Sequence, residues 1–580
     1  MIRFCELMQP LKFLDFHAFC SASHLANFSL NCRWIRSETG RDNILGLNGL
    51  QKDLTLSMKL LDKINYLMFL PRKCSVSDRD QKSHESSRET DGMGPLEDRA
   101  LTKLTAHSIV WMSTATLISR LVRILVTMVL AELLAPSDFG LFSLALIMTG
   151  TFGIFREMGL SQALIFRRRD IDRAADTAFF LVPAQGLVMF CVVFALAPAI
   201  ASFFDIPEAV LLIRIISLDL VISSFGMVPA VLLERDLRFR TKFIPLIVPI
   251  IGYSVVAVIA ALLGYGVWSL VAGELTRSFL TATVIWFFTR WRPRLFFDWQ
   301  LAKELLSYGK HIVGASLAVL LFTNIDNIAV AKGLGAEQLG YYVFAFSVGT
   351  MPITQMALSV NRVLFPAFSR IQTDLKALSK AYARSIEYMS MIAAPLALAT
   401  TTMGPVMLNV LYGGKWNGSI PVLQFLAFYG LFRAFGTGAQ SMLKSLGKPR
   451  LASRVTYIQF ILILPLLYTV TKNWGIAGVG LLFTVSITVG AFVLIYLGSR
   501  ACGASFTWIL SGLAYPIIFS CAGSLAAYLV SYQAMAKNNF ESLLAGSATF
   551  IFVYLLCFMS FRRRLVIEFF RLVKVGFSST

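Results

Sequence analysis

The sequence predicts an all-α polytopic membrane protein of about fourteen transmembrane helices. They form two six-helix lobes related by a parallel repeat, with two further helices appended. Three observations carry this prediction. The 580-residue chain is 56% hydrophobic, with a mean hydropathy of +0.67. Only 15% of its residues are charged, against about a quarter in a typical soluble domain. Apolar stretches of membrane-spanning length recur along it, and the loops between them alternate between arginine-rich and nearly uncharged. This composition excludes a soluble enzyme and a disordered or collagen-like chain. The net charge of +20 resides in loops, where Lys and Arg set orientation, so no nucleic-acid partner is expected.

The chain opens with a different texture. Residues 1–92 hold 13 Lys/Arg and 11 Asp/Glu, the charge density of a soluble segment. They contain no stretch long enough to span a bilayer and no signal-peptide order. Segment 75–92 is polar enough to predict disorder. Its Asp78-Arg79-Asp80 mimics the acidic pair of sugar-nucleotide transferases, but a lone match in such a stretch is a chance one. Cys20, His24 and Cys32 fit no zinc spacing, and the eight cysteines are too scattered for a disulfide framework, so no metal is expected. Met93 opens a normal start for a protein whose first span follows at once, so 1–92 is expected to be a start-site extension or a dispensable tail.

A span needs roughly 20 predominantly apolar residues. Reading forward places spans near 107–134, 138–157, 176–203, 207–233, 243–263, 267–289, 311–331, 338–361, 387–411, 418–442, 453–471, 474–498, 508–531 and 542–560. With the N-terminus inside, the cytoplasmic loops and tail carry 29 Lys/Arg, and the opposite side has four: Lys332, Lys415, Lys472 and Lys537. That bias predicts that both termini are cytoplasmic. The outer connections are short, as at Ala135-Pro136-Ser137 and 264–266, which leaves no outer domain for a polysaccharide polymerase or glycosyltransferase.

The segment VLAELLAPSDFGLFSLALIMTG at 129–150 aligns with AVAKGLGAEQLGYYVFAFSVGT at 329–350, so that Ala131, Leu134, Gly140 and Ala145 match Ala331, Leu334, Gly340 and Ala345. Phe225-Gly226 then matches Phe435-Gly436, and Gly266-Val267 matches Gly475-Ile476. Collinear matches across six spans predict an N-lobe over 93–300 and a C-lobe over 301–500. Spans 13 and 14 follow over 501–560, and a basic amphipathic tail over 561–580. Two lobes related by an axis along the membrane normal place a substrate path between them.

Charges inside spans cost at least ~2.5–3.5 kcal/mol each and mark candidate function. Arg120 and Arg123 share a face of span 1, roughly 20–24 Å along the helix from His107. Span 7 carries Asn324, Asp326 and Asn327, the acid about 22 Å along. By the repeat, Asp326 corresponds to Val126, one turn from Arg123, so the two are expected to meet across the cavity. Arg214, Arg277 and Arg433 complete the candidate set, with Glu274–Arg277 reading equally as an internal neutralising pair. Guanidinium suits phosphate because its planar fork donates two parallel hydrogen bonds and never deprotonates. No GxSxG, Walker A or HExxH sequence is present, and no catalytic role or cofactor is expected.

Several stretches taken together resemble a known family: LAELLAPSDFGLFSLALIMTG, REMGLSQALIFRRRDID, AVLLERDLRFR, GYGVWSLVAGEL, NIDNIAVAKGLGAEQLGYY, VLFPAFSRIQTD and LYGGKWNGSIPVLQFLA. In order, from about residue 93 onward, they are similar to Wzx-type oligosaccharide flippases of the exopolysaccharide-exporter type, within the multidrug/oligosaccharidyl-lipid/polysaccharide (MOP) superfamily. The resemblance implies transfer of undecaprenyl-pyrophosphate-linked repeat units from the inner to the outer leaflet by alternating access. The implied partners are the lipid-linked oligosaccharide, membrane lipids, a polysaccharide polymerase and the chain-length machinery, and a proton or sodium gradient is the candidate driving force. Where the family often has Leu-Ala-Arg, this chain has Leu130-Ala131-Glu132. The same fold also serves cation-coupled drug exporters, which would favour carboxylates in the cavity, whereas arginines outnumber them here.

Overall fold

Helices begin and end where the side chains dictate. The computed structural model describes residues 119, 122–167, 170–235, 243–535, 540–563, 565 and 567–568, and among these there is no strand. Residues 1–92, Arg120 and the tail beyond Glu568 lie outside the described residues. In the first half, α1 (122–133) leads into α2 (Pro136–Glu157), a short α3 (Leu160–Phe166) and the long α4 (Ile171–Phe204). A broken run follows, α5 (Ala209–Ile216), α6 (Asp219–Ile222) and α7 (Ser224–Arg235), then the hairpin of α8 (Phe243–Leu262) and α9 (Val267–Phe288). The second half comprises α10 (Trp299–Arg370), α11 (Leu375–Tyr412), α12 (Ile420–Ser445) and α13 (Pro449–Cys502), with α14 (Phe506–Met535) and α15 (Phe540–Phe561) packed on α11. Pro136 sits in the first turn of α2, where its missing N–H costs nothing. Asp298 and Asp374 cap α10 and α11, each accepting two backbone N–H groups at 2.8–3.2 Å.

Nine helical stretches among the described residues are long and apolar enough to cross a membrane, or ten if the bent run 209–235 is one span. The chain is therefore a multi-pass membrane protein. The α9 helix, which carries Glu274 and Arg277, is not among the nine. Two stretches are of double length. The α13 helix has 54 residues and α10 has 72, far more than the roughly 20 that cross a bilayer. Each leaves helical geometry at one glycine, Gly335 (φ 86°, ψ −177°) and Gly475 (φ 60°, ψ −155°), conformations that a side chain would strain. Those bends fall where the sequence divides span 7 from 8 and span 11 from 12.

The internal repeat is visible as repeated contacts. Gly266, the sequence mate of Gly475, adopts a similar backbone (φ 54°, ψ −133°) at the start of α9. A Cβ added to Gly226 would come 2.8 Å from Ala282 Cα, and one added to its mate Gly436 would come 3.7 Å from Ala491 Cβ. The same α7–α9 crossing thus recurs between α12 and the second half of α13.

Packing is asymmetric across the membrane. One continuous core joins the halves near the side with short connections, running from Leu130 and Phe139 through Ile213 and Leu270 to Tyr342, Trp416 and Val479. Toward the arginine-rich side it divides. One core there, including Phe368, Tyr382 and Phe435, belongs to the second half. Another is built by α3, α4 and α7, together with Leu305 at the start of α10. The first turns of α10 therefore pack on the first half rather than on the lobe that the sequence boundary at 301 assigns them to. Gly309 makes this possible, because a Cβ there would sit 1.6 Å from Met158 O.

Candidate functional site

Between the halves lies a cavity of about 670 Å³, large enough for a sizeable ligand headgroup. One wall comes from α1, α2, α8 and α9, and the facing wall from the second half of α10 and from α11. Leu543, Leu544 and Ser547 of α15 add an apolar side. Phe139 and Tyr412 belong to both the lining and the joined core, so the cavity is roofed on the side with short connections.

The charged groups of this lining all stand on one wall. Arg123 projects from α1 and is exposed, with no ion-pair partner among the described residues. An exposed cation on the wall of this cavity implies a water-filled space rather than lipid. Glu274 and Arg277 project from α9, with Arg277 Nε donating to Glu274 Oε2 at 2.9 Å and Nη2 donating to Oε1. Tyr253 of α8 lies within electrostatic reach of Arg123, Glu274 and Arg277. The opposite wall offers hydroxyls and apolar groups, among them Ser347, Thr400, Met351 and Met403. Two guanidinium groups against one carboxylate leave this wall cationic.

A polar network supports that wall from behind. Ser278 donates to Asp219 Oδ1 from the turn next to Arg277, and Arg156 at the end of α2 donates to Ser223. Asp219 is in electrostatic reach of both Arg156 and Arg277. The break between α5, α6 and α7 makes room for it. Ser217, Ser223 and Ser224 return their hydroxyls to nearby carbonyls there, which satisfies a stretch of irregular backbone inside the membrane.

Of the residues selected from sequence, Arg123 and Arg277 share the cavity, and Arg120 lies outside the described residues. The expected meeting of Arg123 with Asp326 is not seen. Asp326 is 5% exposed, is absent from the lining and accepts a hydrogen bond from Tyr342 at 2.9 Å. The bend at Gly335 is the reason: it folds the two halves of α10 back on each other and brings Tyr342 beside Asp326. Asn324 Nδ2 donates to Leu320 O at 2.9 Å, and the Asn327 backbone N–H donates to Asp326 Oδ1, so neither asparagine is a cavity group either. Arg433 donates to Tyr429 at 2.7 Å in the second half, within electrostatic reach of Asp326. Arg214 is turned against α4, 4.5 Å from the Phe194 ring centre, with Nε donating to Phe194 O at 3.2 Å. It therefore holds α5 to α4 rather than facing a ligand.

Asp219 is legible in the sequence as a carboxylate within a span, but its Ser278 partner is not, and nothing marks Tyr253 among the 17 tyrosines.

The fold and cavity can now be set beside known proteins. The sequence profile of the polysaccharide biosynthesis protein family matches residues 129–421. The chain belongs to that family. It is 26% identical over 444 residues to the lipopolysaccharide biosynthesis protein WzxC of Escherichia coli (strain K12), covering 75% of this chain and 88% of WzxC. It is 24% identical over 472 residues to the teichuronic acid biosynthesis protein TuaB of Bacillus subtilis (strain 168), covering 78% and 96%. In structure it is similar to the lipid II flippase MurJ in an inward closed conformation, with a TM-score of 0.61 at 16% identity, covering 79% of this chain and all of MurJ. It also resembles an inward-facing MATE-family multidrug transporter of the MOP superfamily, with a TM-score of 0.50 at 18% identity, covering 68% and 98%. The motif resemblance to Wzx-type proteins is matched by these relatives, and the fold is similar to that of solved MOP-superfamily transporters.

Proposed function

We propose that this protein moves prenyl-pyrophosphate-linked oligosaccharide units, of the undecaprenyl type, from the inner to the outer leaflet of the inner membrane. One observation carries the reading: Arg123 and Arg277 converge on a water-accessible cavity whose third side, on α15, presents Leu543 and Leu544 beside Ser547. The forks hold the pyrophosphate, the hydroxyl-bearing wall of α10 and α11 takes sugar, and the prenyl chain stays against lipid. The roof at Phe139 and Tyr412 makes this the state that faces the arginine-rich side, which the loop bias assigns to the cytoplasm along with both termini. Alternating access then rocks one half against the other about the cavity, driven by a proton or sodium gradient. On the outer side the unit passes to a polymerase and its chain-length machinery.

A cation-coupled drug exporter of the same fold is less well supported, because Glu274, the cavity carboxylate, is already neutralised by Arg277. Reconstitution with a fluorescent prenyl-pyrophosphate oligosaccharide separates the readings. Leaflet transfer, together with failure of cationic drugs to compete, supports the flippase. Drug transport without lipid transfer refutes it.

A further inference from the structure

We propose that Glu274 is a built-in competitor for the ligand headgroup: it occupies the fork of Arg277 until an anion of at least two negative charges displaces it, and so sets the charge class that the cavity accepts. The proposal rests on the anionic-headgroup reading above and adds the residue that decides which headgroups succeed.

The geometry places competitor and ligand on the same donors. Glu274 and Arg277 are one turn apart on α9, and the carboxylate takes both the Nε and the Nη2 hydrogens of the guanidinium. Those two parallel donors are the ones a phosphate would use. The pair is not sealed away from the cavity, since both residues line it. Of the two side chains, Arg277 is 32% exposed and Glu274 only 13%, so an incoming anion meets the fork more readily than the acid behind it.

The rest of the surroundings make displacement selective. From α1, Arg123 faces the same space and gives a second anionic group something further to bind. From α8 comes Tyr253, and from α6 comes Asp219, which holds the Ser278 hydroxyl and leaves Arg277 a second counter-charge when it swings. Between Ser224 and Leu233, α7 offers no titratable group, α5 turns Arg214 onto Phe194, and on α2 Asp138 stays with the Ala135 N–H near Gly266. A monoanion replaces one carboxylate by one equal charge and pays its own desolvation, so it gains little. A dianion engages Arg277 and Arg123 together. Specificity is then the difference between these two cases.

The test uses the full chain in nanodiscs and two probes of fixed charge. These are a polyprenyl-phosphate monosaccharide, a diester with one negative charge, and the corresponding polyprenyl-pyrophosphate monosaccharide with two. Wild type should bind the pyrophosphate probe at least about tenfold more tightly than the monophosphate probe. Glu274→Gln should bring the monophosphate probe to near parity. Glu274→Asp, which keeps the charge but shortens the reach, should lie between them and covers the case in which the Gln variant does not fold. An unchanged probe ratio in both variants, with binding still lost in Arg123→Gln, would overturn the role of Glu274 and leave the anion cavity standing. Failure of wild type to bind either probe would overturn both.

Discussion

Gly140 of α2 and Gly340 of α10 touch reciprocally across the two halves. A Cβ on Gly140 would lie 1.7 Å from Ala336 O, and one on Gly340 would lie 1.8 Å from Pro136 O. The four residues are pairwise mates in the sequence repeat, so the contact straddles the pseudo-twofold relation itself. The clashing atoms are backbone, which cannot swing aside as a flexible side chain would. Gly140→Ala and Gly340→Ala should each push the halves apart on the side with short connections. Labelling of a cysteine at Ser143 by a membrane-impermeant reagent, in a background in which the eight native cysteines are replaced, should rise in both variants. Unchanged labelling would mean that this crossing does not close the cavity.

Around that crossing, Trp416 Nε1 donates to Ala131 O at 2.8 Å and Lys415 Nζ to Glu132 O at 3.0 Å. Trp416 is fully buried and its ring stacks 4.0 Å from that of Phe344. Trp416→Ala should cost about 3–5 kcal/mol of stability in this state, and Trp416→Phe about 1. By contrast, the neighbouring Lys332–Asp205 pair is 43% and 75% exposed, and Lys332→Gln should cost less than about 1 kcal/mol. Denaturation in detergent ranks the three. A Lys332 effect larger than that of Trp416→Ala would show that charge, not packing, holds this side closed.

Asp326 tests a structural role against a transport role. Tyr342→Phe removes the hydroxyl that donates to Asp326 and should destabilise by about 1–3 kcal/mol, the cost of leaving a buried acceptor without its donor. Headgroup binding at the cavity should be unchanged in Asp326→Asn, because the residue is not part of the lining. Loss of binding in a stably folded Asp326→Asn would return this acid to the site.

Arg214→Ala separates arginines within spans by neighbourhood rather than by depth. It loses the contact over Phe194, worth about 0.5–1 kcal/mol, and should retain transport. Loss of transport with normal membrane levels would place Arg214 on the substrate path.

These residues also show what the sequence makes legible. Small residues at repeat positions foreshadow the contacts at Gly140 with Gly340 and at Gly226 with Gly436, because close backbone approach leaves a residue-type signature. The arithmetic that gives depth along a helix says nothing of rotation about it. Counting places Arg123 and Asp326 at similar depths, yet Arg123 opens onto the cavity whereas the bend at Gly335 turns Asp326 toward Tyr342. The three-residue spacing of Glu274 and Arg277 announces their pairing, but that the pair opens onto a cavity depends on how α8 and α9 meet α1. The crossing of Leu305 and Gly309 onto the first half is equally hidden, because no periodicity reports which lobe a helix end rests on.

In the proposed cycle Arg123 and Arg277 together carry a pyrophosphate headgroup across the membrane. The decisive measurement is leaflet transfer of a fluorescent prenyl-pyrophosphate oligosaccharide by the reconstituted protein. Wild type should transfer the lipid, Arg123→Ala should abolish transfer while inserting normally, and Arg123→Lys should retain only part of it, because an ammonium keeps the charge but loses the fork. Wild-type rates from Arg123→Ala and from the Arg123→Ala/Arg277→Ala double variant would contradict the account.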